Sequence, residues 1–555
     1  MLELDRRMPS KQSDNVSLWK PSKARYEFRT NPEWQGKTSS GFCMGYLQAN
    51  LAILTSSLAK DFQRFCELNN APCPLLYRSK TGELSAGFLA PDSDVRTDLQ
   101  LYCISKDGNI DTIKSSCLSD YSLDDYVSFY LGCSFSFEEA MIKAGIPLQN
   151  VSEKRNVSMF ITNIHCKPVG PFSCPMVVSM RPIPRGLVEK AVIVTAAYDA
   201  VHGAPIHVGD PSVIGIDDIN NTDFGDPSDI DDLIPMFWAC GVTSSLAVRS
   251  AKPSLCFSHS PGSMFIADIS VNEYFKLHKP QHGDEQPRLI TLTDQPYLAS
   301  VCSDTALMKV EDLAKISADP SNTGSTEDVV VTSEFLKSAV RLSHAPSVVI
   351  GFLGGNESSI DYIQGVMALV KALQALNKQI TVVMPQNSQQ FQDNIEAYAS
   401  QGQISKDNFH VVKCDRNCDV NEAVFQGEIN HRRDTVIAFQ LTRTPEKADF
   451  KDPVESFFQE VRSQENGIVS IKITEVETIP SVDQAMDSHT LITSSLKVAG
   501  CGLAAALYVL NKCPIHSRYV RHGIGKKQVY QVEQFKLHGV EEEVCSRMFQ
   551  IVTGS

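Results

Sequence analysis

The chain has 555 residues, 42% hydrophobic and 21% charged, with 51 Lys and Arg against 65 Asp and Glu. That length exceeds one ordinary core and predicts two domains. The net charge of −14 argues against a protein held to nucleic acid by phosphate contacts. No apolar run approaches the roughly 18–20 residues needed to cross a bilayer, so no membrane partner is expected.

Residues 1–37 carry eight basic and five acidic residues with little apolar periodicity and read as a flexible segment. Transit peptides are poor in acids, so Glu3, Asp5 and Asp14 make this a weak targeting signal. Residues 41–66, GFCMGYLQANLAILTSSLAKDFQRFC, place apolar residues at helical spacing and predict one or two helices. YVSFYLG (126–132) is β-branched and aromatic, a strand. SFEEAMIKAG (136–145) reads as a helix, with Ser136 and Glu139 as a capping box and Gly145 as its stop.

PMVVSMRPIP (175–184) predicts a strand closed by prolines, and LVEKAVIVTAAY (187–198) a helix or strand. Residues 217–235 hold seven Asp and read as a solvated acidic loop. FWACGV (237–242) and SHSPGSMFIADIS (258–270) read as buried strands with glycine turns. A polar, proline-containing linker is expected at 275–288. Beyond it, residues 347–385 give an apolar strand, a glycine turn, an amphipathic helix and a second strand, which is a βαβ unit. FHVVKC and TVIAFQL supply further strands. The expected class is α/β: a mixed α/β N-terminal domain over 38–274, and over 289–555 a domain with a parallel sheet built from βαβ units.

Sixteen cysteines without any CxxC pair read as reduced thiols. His410, Cys414 and Cys418 lack a fourth ligand, so neither metal nor cofactor is expected. The turn GFLGGN (351–356) sits where α/β sheets bind phosphate or carboxylate, but a lone glycine turn of this kind is usually only tight geometry. AVHGAPIHVGDPSVIGI (200–216) carries more. Its prolines and glycines impose a turning backbone, and His202, His207 and Asp210 on such a backbone suit proton transfer. Metal binding there would need a further ligand such as His259 or Cys240, with no diagnostic spacing.

Cys133 opens a strand-to-helix junction, where a helix N-terminus lowers a thiol pKa and favours a nucleophile; a small buried hydrophobe is the other reading. Arg181 is either a bidentate carboxylate clamp or half of a structural ion pair.

YLQANLAIL (46–54), RTDL (96–99), LGCSFSFEEA (131–140), RNVSMFITNI (155–164), PMVVSMRPIP, AVHGAPIHVGDPSVIGI, FWACGVT (237–243) and SHSPGSMFIADI (258–269) occur in one order. That set resembles the bacterial putative hydro-lyase family and the N-terminal domain of mitochondrial D-glutamate cyclases, over roughly 38–272. Residues 289–512 resemble, less strongly, the C-terminal domain of the animal enzymes. They depart from it in lacking an acidic glycine-rich loop near 465–480 and a tryptophan near 497–510. The resemblance implies a hydro-lyase that converts D-glutamate into 5-oxo-D-proline and water in the mitochondrial matrix, or otherwise the cytoplasm. Its partner is a small-molecule substrate, and homo-oligomeric assembly stays open. Two alternatives also stay open: a catalytically degenerate binding relative, and a hydro-lyase for another small amino or hydroxy acid.

Cyclisation needs a base, an acid, oxyanion donors and a cation for carboxylate. The expected roles are proton transfer for His202 and His207, orientation of one imidazole by Asp210, and carboxylate binding by Arg181. Backbone N–H groups near Gly203, Gly209 or Cys133 would hold the oxyanion, with Asn163 and His259 as supporting polar residues.

Overall fold

The computed structural model describes residues 15–108, 113–280, 283–318, 328–345, 347–353, 360–385, 389–414, 436–443, 469–475, 490–493, 496–517 and 542–553. The protein falls into two units. The first comprises 1–162, 168–205 and 218–280; the second comprises 163–167, 206–217 and 281–555. The fold is mixed α/β, and the second unit takes two short segments from within the N-terminal half.

A seven-stranded sheet forms the first unit's centre, in the order Leu75–Arg78, Tyr126–Gly132, Tyr46–Thr55, Cys256–His259, Tyr102–Ser105 and Ile113–Ser115, with Phe265–Ser270 also on the central strand. The pairings are antiparallel. The central strand Tyr46–Thr55 corrects the helix expected across 41–66; helix begins only at Ser56 and runs to Leu68. Residues 47–54 of this strand are all buried. A strand covered on both faces needs apolar residues on both, which erases the alternation that marks a half-exposed strand. Elsewhere in this unit Pro175–Pro184 pairs antiparallel with Leu233–Ala239, and Val188–Ala196 is helical.

The second unit contains a six-stranded parallel sheet, ordered Phe409–Cys414, Gln379–Pro385, Ser347–Leu353, Val436–Arg443, Val469–Glu475 and Thr490–Thr493. The βαβ unit expected at 347–385 is its core, joined by the helix Ile360–Ala375. The same unit holds the hairpin Pro287–Asp294 and Tyr297–Ser303, whose second strand pairs with the three-residue strand His207–Gly209. Helices Ile360–Ala375 and Leu496–Lys512 approach closely because glycine faces glycine. A Cβ on Gly500 would lie 2.6 Å from the backbone of Gly365. Gly500→Val therefore forces the helices apart and is expected to lower stability by about 1–3 kcal/mol, read by urea unfolding of the full-length protein.

Candidate functional site

Successive side chains on a strand point to opposite faces. On the central strand that puts Gln48 and Asn50 on one face and Ala49 and Leu51 on the other. Gln48 and Asn50 are each only 2% exposed, so their amides must be paired inside the protein. The Gln48 backbone N–H donates to Ser136 Oγ (2.9 Å), and its side-chain amide donates to the carbonyls of Ser39 and Phe42. Ser136 is thereby committed to the central strand. The expected capping box is not formed: the helix Glu138–Lys143 has no side-chain cap, and Glu139 pairs with Lys143 instead (3.0 Å).

Asn50 Nδ2 donates to the Gly132 carbonyl at 2.8 Å. Its amide also occupies the space in which any side chain at Gly241 would begin. Asn50 thus locks the end of the strand Tyr126–Gly132 against the FWACGVT turn. Beside this lock lies a desolvated ion pair. Arg181, 1% exposed, donates to Glu138 Oε1 at 2.9 Å and to Ser134 Oγ at 3.2 Å. Asn150 Nδ2 also donates to Glu138 Oε1 (2.8 Å), and Ser40 Oγ to Glu138 Oε2 (3.0 Å). The guanidinium further stands over the rings of Phe137 and Trp238, at 5.4 and 5.6 Å. Of the two readings of Arg181, this geometry is that of the structural ion pair, and the pair fixes the strand-to-helix junction.

Cys133 sits at that junction but packs among Phe135, Val157, Met159, Val177, Cys240, Val242 and Met264. Burial pushes its thiol up, away from thiolate formation, and outweighs the Phe135 N–H that points at the sulfur. Those are the surroundings of a small hydrophobe.

The opposite face carries histidines. Gly132, paired with Ala49, has no side chain, and the turn at Ala200 and Val201 fills the space where one would begin. His202 follows in a left-handed conformation, φ +88°, which is uncommon for a residue with a Cβ. Its ring Nδ1 lies 2.8 Å from the Ala71 carbonyl. A carbonyl only accepts, so Nδ1 carries a proton, and in the neutral tautomer the lone pair is on Nε2. The Gly203 N–H is already donated to Tyr198 O (2.9 Å), which removes it as an oxyanion donor. His259 is 1% exposed, with Nδ1 at 3.1 Å from both the N–H and the carbonyl of Leu51. Burial holds its pKa down at about 4, so the ring is neutral at physiological pH.

The remaining candidates fold with the second unit. His207 Nε2 donates to the backbone carbonyl of Asp210 (2.5 Å), while the Asp210 carboxylate caps Ser212 N–H (2.9 Å). The aspartate therefore meets the imidazole through its main chain, not through the carboxylate expected to orient it. Gly209 must be glycine: φ is +101°, and the Tyr297 carbonyl occupies the space of a Cβ. Asn163 packs on Gly215, where a Cβ would come within 2.9 Å of its own. His202 and His207 are thus assigned to different units. Part of the GFLGGN turn and Cys418 lie outside the described residues. Among those described, no three His, Cys, Asp or Glu are grouped to hold a metal ion.

Gln48, Asn50 and Glu138 were missed by sequence reasoning. Their signal was present: two amides at i and i+2 inside an otherwise apolar run, and a carboxylate that Arg181 would have to meet.

The D-glutamate cyclase family model matches residues 127–268. A protein named putative hydro-lyase from Syntrophobacter fumaroxidans is 48% identical over 238 residues, covering 43% of this chain and 90% of that relative. Putative hydro-lyases from Verminephrobacter eiseniae and Clostridium beijerinckii are each 46% identical, over 263 and 258 residues. Each match covers 46% of this chain, and 93% and 96% of the respective relative.

Two measurements check the electrostatics. Arg181→Met leaves Glu138 buried without its cation and is expected to cost about 3–5 kcal/mol; adding Glu138→Met should recover part of that loss in urea unfolding. The unfolded chain protonates His259 near its usual pKa, whereas the folded chain keeps it neutral down to about 4. This group's contribution to stability therefore falls as pH drops through that window, by up to about 1.4 kcal/mol per pH unit. His259→Phe should remove that slope from the pH dependence of unfolding.

Proposed function

The chain belongs to the D-glutamate cyclase family of hydro-lyases, and we propose that it converts D-glutamate into 5-oxo-D-proline and water. The observation that carries this reading is the family match across 127–268, which spans the strand-to-helix junction, Arg181 and His202. In the reaction the amine attacks the γ-carboxyl carbon, a C–N bond forms, and a C–O bond breaks as water leaves. The ammonium gives up two protons in all and the departing carboxylate oxygen takes up two; a neutral imidazole can accept an ammonium proton and return it to that oxygen.

His202 takes that role. Its Nδ1–H is fixed on the Ala71 carbonyl, so Nε2 is the basic nitrogen, and the turn that carries it is set by the close approach to Gly132. Arg181 and Glu138 act as positioning residues that hold the junction from which Gly132 and Ser134 project. A mitochondrial matrix location is proposed with the reaction and is checked by imaging the tagged full-length protein.

His202→Gln is expected to lower 5-oxo-D-proline formation by about 10²–10⁴-fold while the variant stays folded by circular dichroism. Wild-type turnover in that variant would sink the assignment. Turnover of a different amino or hydroxy acid, with none of D-glutamate, would keep the lyase and change its substrate.

A further inference from the structure

The strand registers carry a row of residues across the first unit's sheet. Tyr130 pairs with Leu51, His259 grips the Leu51 backbone through Nδ1, and His259 pairs with Tyr102. Gln100 adjoins this row, because the carbonyl of its neighbour Leu101 accepts the Ser260 N–H at 2.9 Å. The Phe265 ring stands 5.0 Å from that of Tyr130, and the Arg25 guanidinium 5.8 Å from Phe265.

The charges bordering this row are mutually neutralised. Arg25 bonds Asp268 at 2.8 Å and meets Asp98 at 3.4 Å. Asp98 also accepts from the Asp94 N–H (3.0 Å). The Tyr102 hydroxyl is satisfied too, between Val95 O and Leu99 N–H.

Among the described residues Arg25 Nε makes no hydrogen bond, and four neutral polar atoms are likewise unsatisfied. The Tyr130 hydroxyl, both amide atoms of Gln100 and His259 Nε2 are buried and have no hydrogen-bond partner among the described residues. Each parent residue is at most 1% exposed. Native cores pair nearly all such atoms, so a group of them calls for an explanation. We propose that Gln100, Tyr130 and His259 form a binding site for an uncharged amide-type group and, resting on the reaction assigned above, that this group is the lactam of 5-oxo-D-proline.

The chemistry selects that class. A primary carboxamide offers one acceptor beside two donors, which matches a cis-lactam through two parallel hydrogen bonds. Lactam N–H would donate to Gln100 Oε1, and Gln100 Nε2–H to the lactam oxygen. The Tyr130 hydroxyl can donate or accept. His259 is adaptable in the same way. When Nδ1 accepts from Leu51 N–H, Nε2 is the donor; when Nδ1 donates to Leu51 O, Nε2 accepts. These neutral atoms suit the uncharged lactam edge, and an ammonium set against them would lose its hydration uncompensated. Cyclisation removes the ammonium and one of the two carboxylates, so the ring-closed product presents this row with a neutral amide where D-glutamate has charges.

The test uses the full-length protein with 2-pyrrolidinone, a bare lactam, and 5-oxo-D-proline as probes in calorimetry and thermal unfolding. Wild type is expected to bind both. Gln100→Met, close in volume, should bind at least about tenfold more weakly. Its unliganded Tm should be unchanged or higher, since the bare polar atoms are gone. Tyr130→Phe should behave alike and serves if Gln100→Met fails to fold. Equal binding by wild type and variants, or no binding by wild type, overturns the site. So does a fall in unliganded Tm of several degrees in both variants, because the groups would then serve the fold. D-Glutamate turnover, followed on the same wild-type sample, separates the two assignments. Turnover without lactam binding removes the site and keeps the reaction; lactam binding without turnover does the reverse.

Discussion

The hydrogen bond from Asn50 Nδ2 to the Gly132 carbonyl is the constraint on which the first unit's arrangement rests. It places an amide in the interior of a strand covered on both faces, where an unpaired amide is costly. Satisfying that amide requires the end of the neighbouring strand to come to it. The FWACGVT turn must then present a residue with no side chain at 241. Gly132 serves the opposite face in the same way, because the backbone at Ala200 and Val201 takes the space of its missing side chain. One short polar contact therefore ties together four stretches of sequence far apart along the chain.

This linkage explains why a buried ion pair is tolerated nearby. Arg181 and Glu138 are expensive to desolvate, and such pairs are weak evidence for stability. Here each partner also bonds neutral groups: the arginine donates to Ser134, and the glutamate accepts from Asn150 and Ser40. The pair fixes a junction instead of reaching for a ligand. Of the nearby histidines, His202 sits on a left-handed turn and His259 is kept neutral by burial.

How much of this the sequence makes legible follows from the physics of each element. The strands Tyr126–Gly132 and Pro175–Pro184 and the βαβ unit at 347–385 are readable, because their apolar runs are short and bounded by turn residues. The central strand is not: with both faces buried its pattern is continuous, and LQANLAIL fits a helix of period 3.6 as well as it fits a strand. Ser136 and Glu139 have the spacing of a cap, yet Ser136 bonds the central strand, a long-range contact that local spacing cannot show. The histidine-rich loop stands out by composition. Its partition between two units does not, because that depends on the strand pairing of Val208 and Gly209 with Ala299 and Leu298.

That pairing bears on how separable the two units are. The family match ends at 268, and a cut after Pro280 would keep every residue of it. The severed piece would nevertheless lose Tyr297–Ser303, on which His207–Gly209 is hydrogen-bonded, and with it the Tyr297 carbonyl that takes the Asp210 N–H. The edge of the three-residue strand that Tyr297–Ser303 covers would be left bare, an adhesive edge. The border drawn by sequence similarity therefore leaves one strand partner of the histidine loop on its far side. In this chain the histidine loop thus draws on both halves of the sequence.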